Sequence, residues 1–221
     1  MFHVKHELVD ANVSRETLVE VEKQFADNKG KIGEYISKLL YWNKRVNLVS
    51  RDLSVADLNY HVIHSLMIQY SSVWRKEGLR VIDAGSGGGL PGIPLAMMTN
   101  NQIQLVDVVE KKMMACKDIS RFLGLKNVST KHSSIEYIDT PDSFVYVTKH
   151  AFKIRDFLSL TAGQNYSSAI FLKGDDYQSE ISECEQPLRL DVIKLSDYHS
   201  DAFFNGKNVI TLFNPNEKPG A

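Results

Sequence analysis

Val81-Ile-Asp-Ala-Gly-Ser-Gly-Gly-Gly-Leu-Pro-Gly-Ile-Pro-Leu95 decides the reading of this chain. A short apolar run ends in Asp83, glycines follow at 85, 87, 88, 89 and 92, and an apolar segment with helical texture comes next. Glycines gather where backbone must approach a ligand or take positive φ. Pro91 and Pro94 suit the first turn of a helix, where backbone donors have no intrahelical acceptor. The stretch therefore reads as a buried strand, a ligand-binding loop and a helix.

Downstream, short apolar runs alternate with helical ones. Leu79–Asp83, Ile103–Val108, Asn127–His132, Phe144–Thr148 and Ala169–Lys173 read as strands, and Leu188–Leu195 and Asn208–Phe213 as two more that would form an antiparallel edge. That alternation predicts an α/β fold with a mostly parallel seven-stranded sheet, ligands lying at the carboxyl ends of its strands. Upstream, three segments have helical apolar spacing: Leu18, Val21 and Phe25; Ile32, Tyr35, Ile36, Leu39 and Leu40; and Val55, Leu58, Val62, Leu66 and Tyr70. Ser14 and Ser54 are candidate N-caps. The 221 residues suit a single domain over 1–221, with an N-terminal helical lobe (1–76) and a cofactor-binding core (77–221). With 43% hydrophobic and 24% charged residues, no secretory-type apolar start, no membrane-length run and two unpaired cysteines, a cytoplasmic protein without a membrane partner is expected.

The loop alone fits two adenosine cofactors. Gly87, Gly89 and Gly92 satisfy the dinucleotide pattern G-x-G-x-x-G, whereas Asp83 with Gly85, Gly87 and Gly89 gives the acid followed by G-x-G-x-G that is typical of S-adenosylmethionine sites. Asp107, at the end of the next strand, is placed to accept ribose hydroxyls in either case, or to cap a helix. Ser134-Ile135-Glu136 sits where an adenine ring would be clasped, with Ile135 equally suited to the core. The [ND]-P-P-[YF] tetrapeptide of exocyclic-amine methylation is missing, and neither cysteine follows a proline as cytosine C5 chemistry commonly requires. Guanine N7 carries no proton and is already nucleophilic, so its methylation needs positioning and no general base, and no catalytic residue is assigned.

Four motifs carry a resemblance to a known family: Trp42-Asn-Lys-Arg-Val-Asn-Leu-Val-Ser50; His61 within Asn59–Ser65; Asp83-Ala-Gly-Ser-Gly-Gly-Gly-Leu-Pro-Gly92; and Phe171-Leu-Lys-Gly174. In order and spacing, over roughly residues 14 to 213, the chain resembles ribosomal small-subunit methyltransferase G, also called glucose-inhibited division protein B. The resemblance implies a Rossmann-like class I methyltransferase fold, S-adenosylmethionine as cofactor, and 16S rRNA or the small ribosomal subunit as partner. It implies cofactor contacts at Gly85, Leu90, Ile135 with Glu136, and the position of His150. At His150 the family usually has Arg, and at His64 usually Asp. Lys149 is expected to take over part of the missing charge.

Charge is distributed unevenly about a net of -1. Residues 108–131 carry Lys111, Lys112, Lys117, Arg121, Lys126 and Lys131 against two acids, and residues 174–201 carry eight acids against Arg189 and Lys194. RNA contacts are expected at Arg45, Lys149, Lys153 and Lys173, the last of which would serve equally well in a pair with a nearby carboxylate. Asn43 and Asn47 are candidates for the entrance to the site, and Trp42 and Tyr41 for the core. His61 and His64 lack a third ligand, so no metal is expected. Two alternatives remain: an RNA- or ribosome-binding protein that has lost turnover, and a nicotinamide-dependent oxidoreductase.

Overall fold

The computed structural model describes residues 5–75, 77–139 and 143–215. The expected lobe boundary at 76 and the two ends of the expected domain fall outside the described residues. The chain runs β1 (Glu7–Asp10), α1 (Arg15–Asp27), α2 (Lys29–Asn43), α3 (Val55–Leu66), β2 (Arg80–Ala84), α4 (Gly92–Met98), β3 (Gln102–Asp107), α5 (Glu110–Phe122) and β4 (Val128–His132). It continues through β5 (Phe144–Lys149), α6 (Ile154–Leu160), β6 (Tyr166–Gly174), α7 (Tyr177–Ser182), β7 (Arg189–Lys194) and β8 (Lys207–Phe213).

The strands form one sheet in the order β1-β7-β8-β6-β5-β2-β3-β4. β8 runs antiparallel to both its neighbours, and every other pairing is parallel. Two expectations are corrected here. The sheet has eight strands, because Glu7–Asp10 adds to the edge beside β7. The reversed strand is also not an edge: β8 is inserted between β6 and β7, which restores β7 to the common direction.

Alternation along each strand divides the core into two layers. Val81, Leu105, Val147 and Leu172 pack with α1 to α5, while Ile82, Val106, Tyr146 and Phe171 pack with α6 and α7. The side chain of Asp83 has the parity of Val81 and so points to the face covered by α1 to α5. α1 and α3 are capped as their sequences indicate. Ser14 Oγ accepts from Thr17 N at 3.2 Å, and Ser54 with Asp57 forms a reciprocal capping box. No described helix is long and apolar enough to cross a membrane. Cys116 and Cys184 are free and buried.

Candidate cofactor and substrate cleft

The glycine loop leaves the interior strand β2 and is held by backbone and side-chain hydrogen bonds. Gly85 N and Ser86 N donate to Val106 O at 2.9 and 3.0 Å, and Ser86 Oγ accepts from Val106 N at 2.9 Å. Tyr35 of α2 donates to Gly88 O at 3.0 Å, which ties that helix to the loop. Gly92 N donates to Asp83 Oδ2 at 2.9 Å, and a Cβ at Gly92 would lie 2.6 Å from that oxygen and 2.3 Å from Leu105 Cδ2. Only glycine allows this approach.

The sequence expectation puts Asp83 against a cofactor. It instead lies fully buried beneath the loop, holding the start of α4, and is not among the residues lining the cleft. Burial, reinforced by the charge of Asp107, pushes its carboxyl up to about 7. Register is the reason for the difference: Asp83 pairs with Leu105, two residues short of the point where Asp107, on the same face of the sheet, meets the cleft.

Asp107 ends β3 at the cleft. Its Oδ2 accepts from Gly87 N at 3.1 Å and its Oδ1 from Val109 N at 2.9 Å, with Lys112 Nζ 3.6 Å away. The N-cap of α5 is Val109, so Asp107 does not cap that helix. Across the cleft, Ile135 is buried, and its carbonyl accepts from Gln164 Nε2 at 2.7 Å. Glu136 is exposed and does not line the cleft. The cleft, about 840 Å³, brings together the expected Gly85, Gly87, Leu90, Asp107, Ile135 and His150.

Its other end is closed by residues that the sequence left unconnected. Asn43 Oδ1 accepts from Leu48 N and Val49 N at 2.8 and 3.1 Å, folding the Leu48–Leu53 segment against the glycine loop. Asn43 thus shapes the wall from within, while Asn47 is exposed and does not line it. Lys149, at the end of β5, donates to Nδ1 of His61 at 2.8 Å, and both line the cleft. Nothing local in the sequence signals this pair, whose members lie 88 positions apart.

His150 follows in the left-handed region at φ 53, a conformation that non-glycine residues seldom take. Its ring lies 6.0 Å from that of His64, which is fully buried and whose two nitrogens have no hydrogen-bond partner among the described residues. The two departures from the family pattern are therefore neighbours. Burial and then the nearby Lys149 push both His61 and His150 down to about 4, and hold His64 well below the usual imidazole range. At neutral pH all three imidazoles are uncharged.

The expected RNA contacts separate. Arg45 is exposed, its guanidinium 4.1 Å from the Tyr41 ring centre, and it donates to Tyr41 O at 2.9 Å. Tyr41 itself is exposed and not core, whereas Trp42 packs against the core and donates to Asp118 at 2.8 Å. Lys153 is exposed just ahead of α6. Lys173 is corrected. It is buried, with its Nζ 2.7 Å from both carboxylate oxygens of Glu180, which also accepts from Ile154 N at 2.9 Å. That ammonium is used inside the protein to hold α6 and α7 to the sheet.

A mostly parallel sheet with one inserted reversed strand, a glycine loop after an interior strand and an acid ending the next is the fold of class I S-adenosylmethionine-dependent methyltransferases. Within that class the chain belongs to the rRNA small subunit methyltransferase G family, whose model matches residues 28–203. It is 31% identical to the ribosomal RNA small subunit methyltransferase G of Cytophaga hutchinsonii over 179 residues, covering 76% of this chain and 84% of that one. It is 36% identical to that of Chlorobaculum tepidum over 152 residues, covering 67% and 70%. Among solved structures it is similar to a SAM dependent methyltransferase from Aquifex aeolicus, with TM-score 0.49, 18% identity, and 62% of this chain and 82% of that one covered.

Proposed function

We propose that this chain methylates N7 of one guanine in 16S rRNA, using S-adenosylmethionine, and that it acts in the cytoplasm on the RNA or on the small ribosomal subunit. The observation that carries the cofactor reading is the Asp107 carboxylate, fixed by two backbone N–H groups at the mouth of the glycine loop. It faces a cleft whose far side offers the apolar Ile135, Phe152 and Leu160. These residues fit the cofactor: Asp107 would accept the ribose hydroxyls, Ile135 would cover the adenine, and Gly85, Gly87, Leu90 and His150 would flank the remainder. S-adenosylmethionine supplies a sulfonium methyl that is electrophilic without further activation.

The protein's part is then to bring N7 into line and exclude water. Because N7 carries no proton, a methyl supplied there would be accepted by its lone pair without any residue of the chain having to act as a base. Arg45, Lys149 and Lys153 remain the candidate RNA contacts. The experiment is transfer of radiolabelled methyl from S-adenosylmethionine to 30S particles and to 16S rRNA that lack the modification, with the product base mapped. Label at N7 of a single guanine is expected, and Asp107→Ala is expected to raise the KM for the cofactor at least ~10-fold, as loss of a charged hydrogen-bond partner does. Cofactor binding without transfer to either substrate would return the chain to the reading of an RNA binder.

A further inference from the structure

We infer that His61, held by Lys149 as the neutral tautomer with its proton on Nε2, reads O6 of the acceptor guanine and thereby selects guanine over adenine. The inference rests on the proposed guanine-N7 activity and names the part of the cleft that receives the base. An ammonium has only hydrogens to offer, so the ring nitrogen 2.8 Å from Lys149 Nζ must be the acceptor, and the proton of a neutral imidazole must sit on the other nitrogen. That nitrogen has no partner among the described residues and, unlike both nitrogens of His64, is not sealed from solvent. The ring is held from behind. Val62 and Leu66 bury α3 against the core, the Ser54–Asp57 box fixes its start, and Phe203 meets the His61 ring edge to face with centres 5.6 Å apart. Between His61 at about 4 and Lys149 at about 8, the required state, neutral imidazole beside charged ammonium, spans neutral pH.

The chemistry matches one purine. On the edge that carries N7, guanine presents two acceptors, N7 and O6, whereas adenine presents an amine donor in place of O6. A lone N–H donates to O6, leaves the N7 lone pair free to react, and meets adenine donor to donor. Being uncharged, it does not oppose the positive charge that the base gains on methylation. Lys149 is the positioning residue, because without it the ring is free to shift its proton to Nδ1 and accept from an amine.

The test compares kcat/KM on 30S particles in which the target guanine, introduced by RNA ligation, is either retained or replaced by 2,6-diaminopurine, which keeps N7 and exchanges O6 for an amine. Wild-type protein is expected to prefer guanine by ~100-fold or more, as sites built around one polar partner do. His61→Ala should compress that ratio to within ~10-fold, His61→Gln should restore part of it through its amide N–H, and Lys149→Met should lower it. A purely structural role would slow both substrates alike and leave the ratio intact. Independently of turnover, ¹⁵N NMR of the folded protein at pH 7 should find the His61 proton on Nε2. A proton on Nδ1, or an undiminished ratio in His61→Ala, overturns the inference alone, whereas no transfer by wild-type protein to the guanine particle overturns the proposed activity together with it.

Discussion

Burial pushes the carboxyl of Asp83 up to about 7, so at the residue scale the cost of holding the glycine loop depends on pH. Gly92 N and Ser86 act against that shift, as does Lys149, while Asp107 adds to it. The folded protein binds this proton more tightly than the unfolded chain, so the contribution of Asp83 to stability falls as pH rises from about 4 to about 7. Asp83→Asn keeps an oxygen for Gly92 N and removes the titration. In calorimetry without ligand, the melting temperature of wild-type protein relative to the variant should rise as pH is lowered from 8 to 5, by on the order of 5 °C. A difference constant with pH would place the titration elsewhere. Asp83 and Asp107 look alike in the sequence, each a strand-terminal acid, and both point to the same face of the sheet; their roles differ because Asp83 lies level with Leu105, under the loop, whereas Asp107 lies two residues farther along, where β3 meets the cleft. Lys173 is ambiguous in the sequence for a related reason: its partner Glu180 lies on the following helix, and nothing local fixes which way that helix faces.

For the secondary elements, legibility follows burial. β2 and β5 are buried along most of their length and announce themselves as short apolar runs, as does β3 apart from Gln104, which is why their limits fall within a residue or two of those read from the sequence. β1 is four exposed residues, Glu-Leu-Val-Asp, with no apolar pattern to find, and the insertion of β8 between β6 and β7 leaves no local mark at all. Helix starts are legible because caps are chemical. The Ser54–Asp57 box begins the helix that carries His61. Ser54→Ala should cost about 1 kcal/mol, a fall of roughly 2–4 °C in melting temperature for a chain of this size, and Ser54→Asp should recover most of it. An unchanged melting temperature in Ser54→Ala would mean that packing alone sets the position of α3.

Across the whole molecule, the order of strands converts an uneven sequence into a polarised body. The basic residues 108–131 lie on α5 and β4 at one end of the sheet, and the acidic stretch 174–201 lies on α7, β7 and their connections toward the other. A net charge of -1 is thus compatible with a polyanionic partner approached from one side. Replacing Lys117 and Arg121 by Ala should weaken binding to 16S rRNA and flatten its dependence on the logarithm of salt concentration by about 0.7 to 0.9 for each phosphate left without its cation, whereas Glu183→Gln with Glu185→Gln should alter neither. Equal effects from both pairs of substitutions would show that the orientation is wrong. The pairing of β1 with β7 also bears on how the chain comes into being. Glu7 and its neighbour in the finished sheet, Arg189, lie far apart along the chain, so during synthesis β1 must wait for β7 to be made before it can pair. At ordinary elongation speed that wait is roughly ten seconds or more, during which a bare strand risks pairing with the wrong edge. Its brevity and the charges of Glu7 and Asp10 at its two ends make it a poor template for strangers, and so guard the nascent chain until its proper partner emerges.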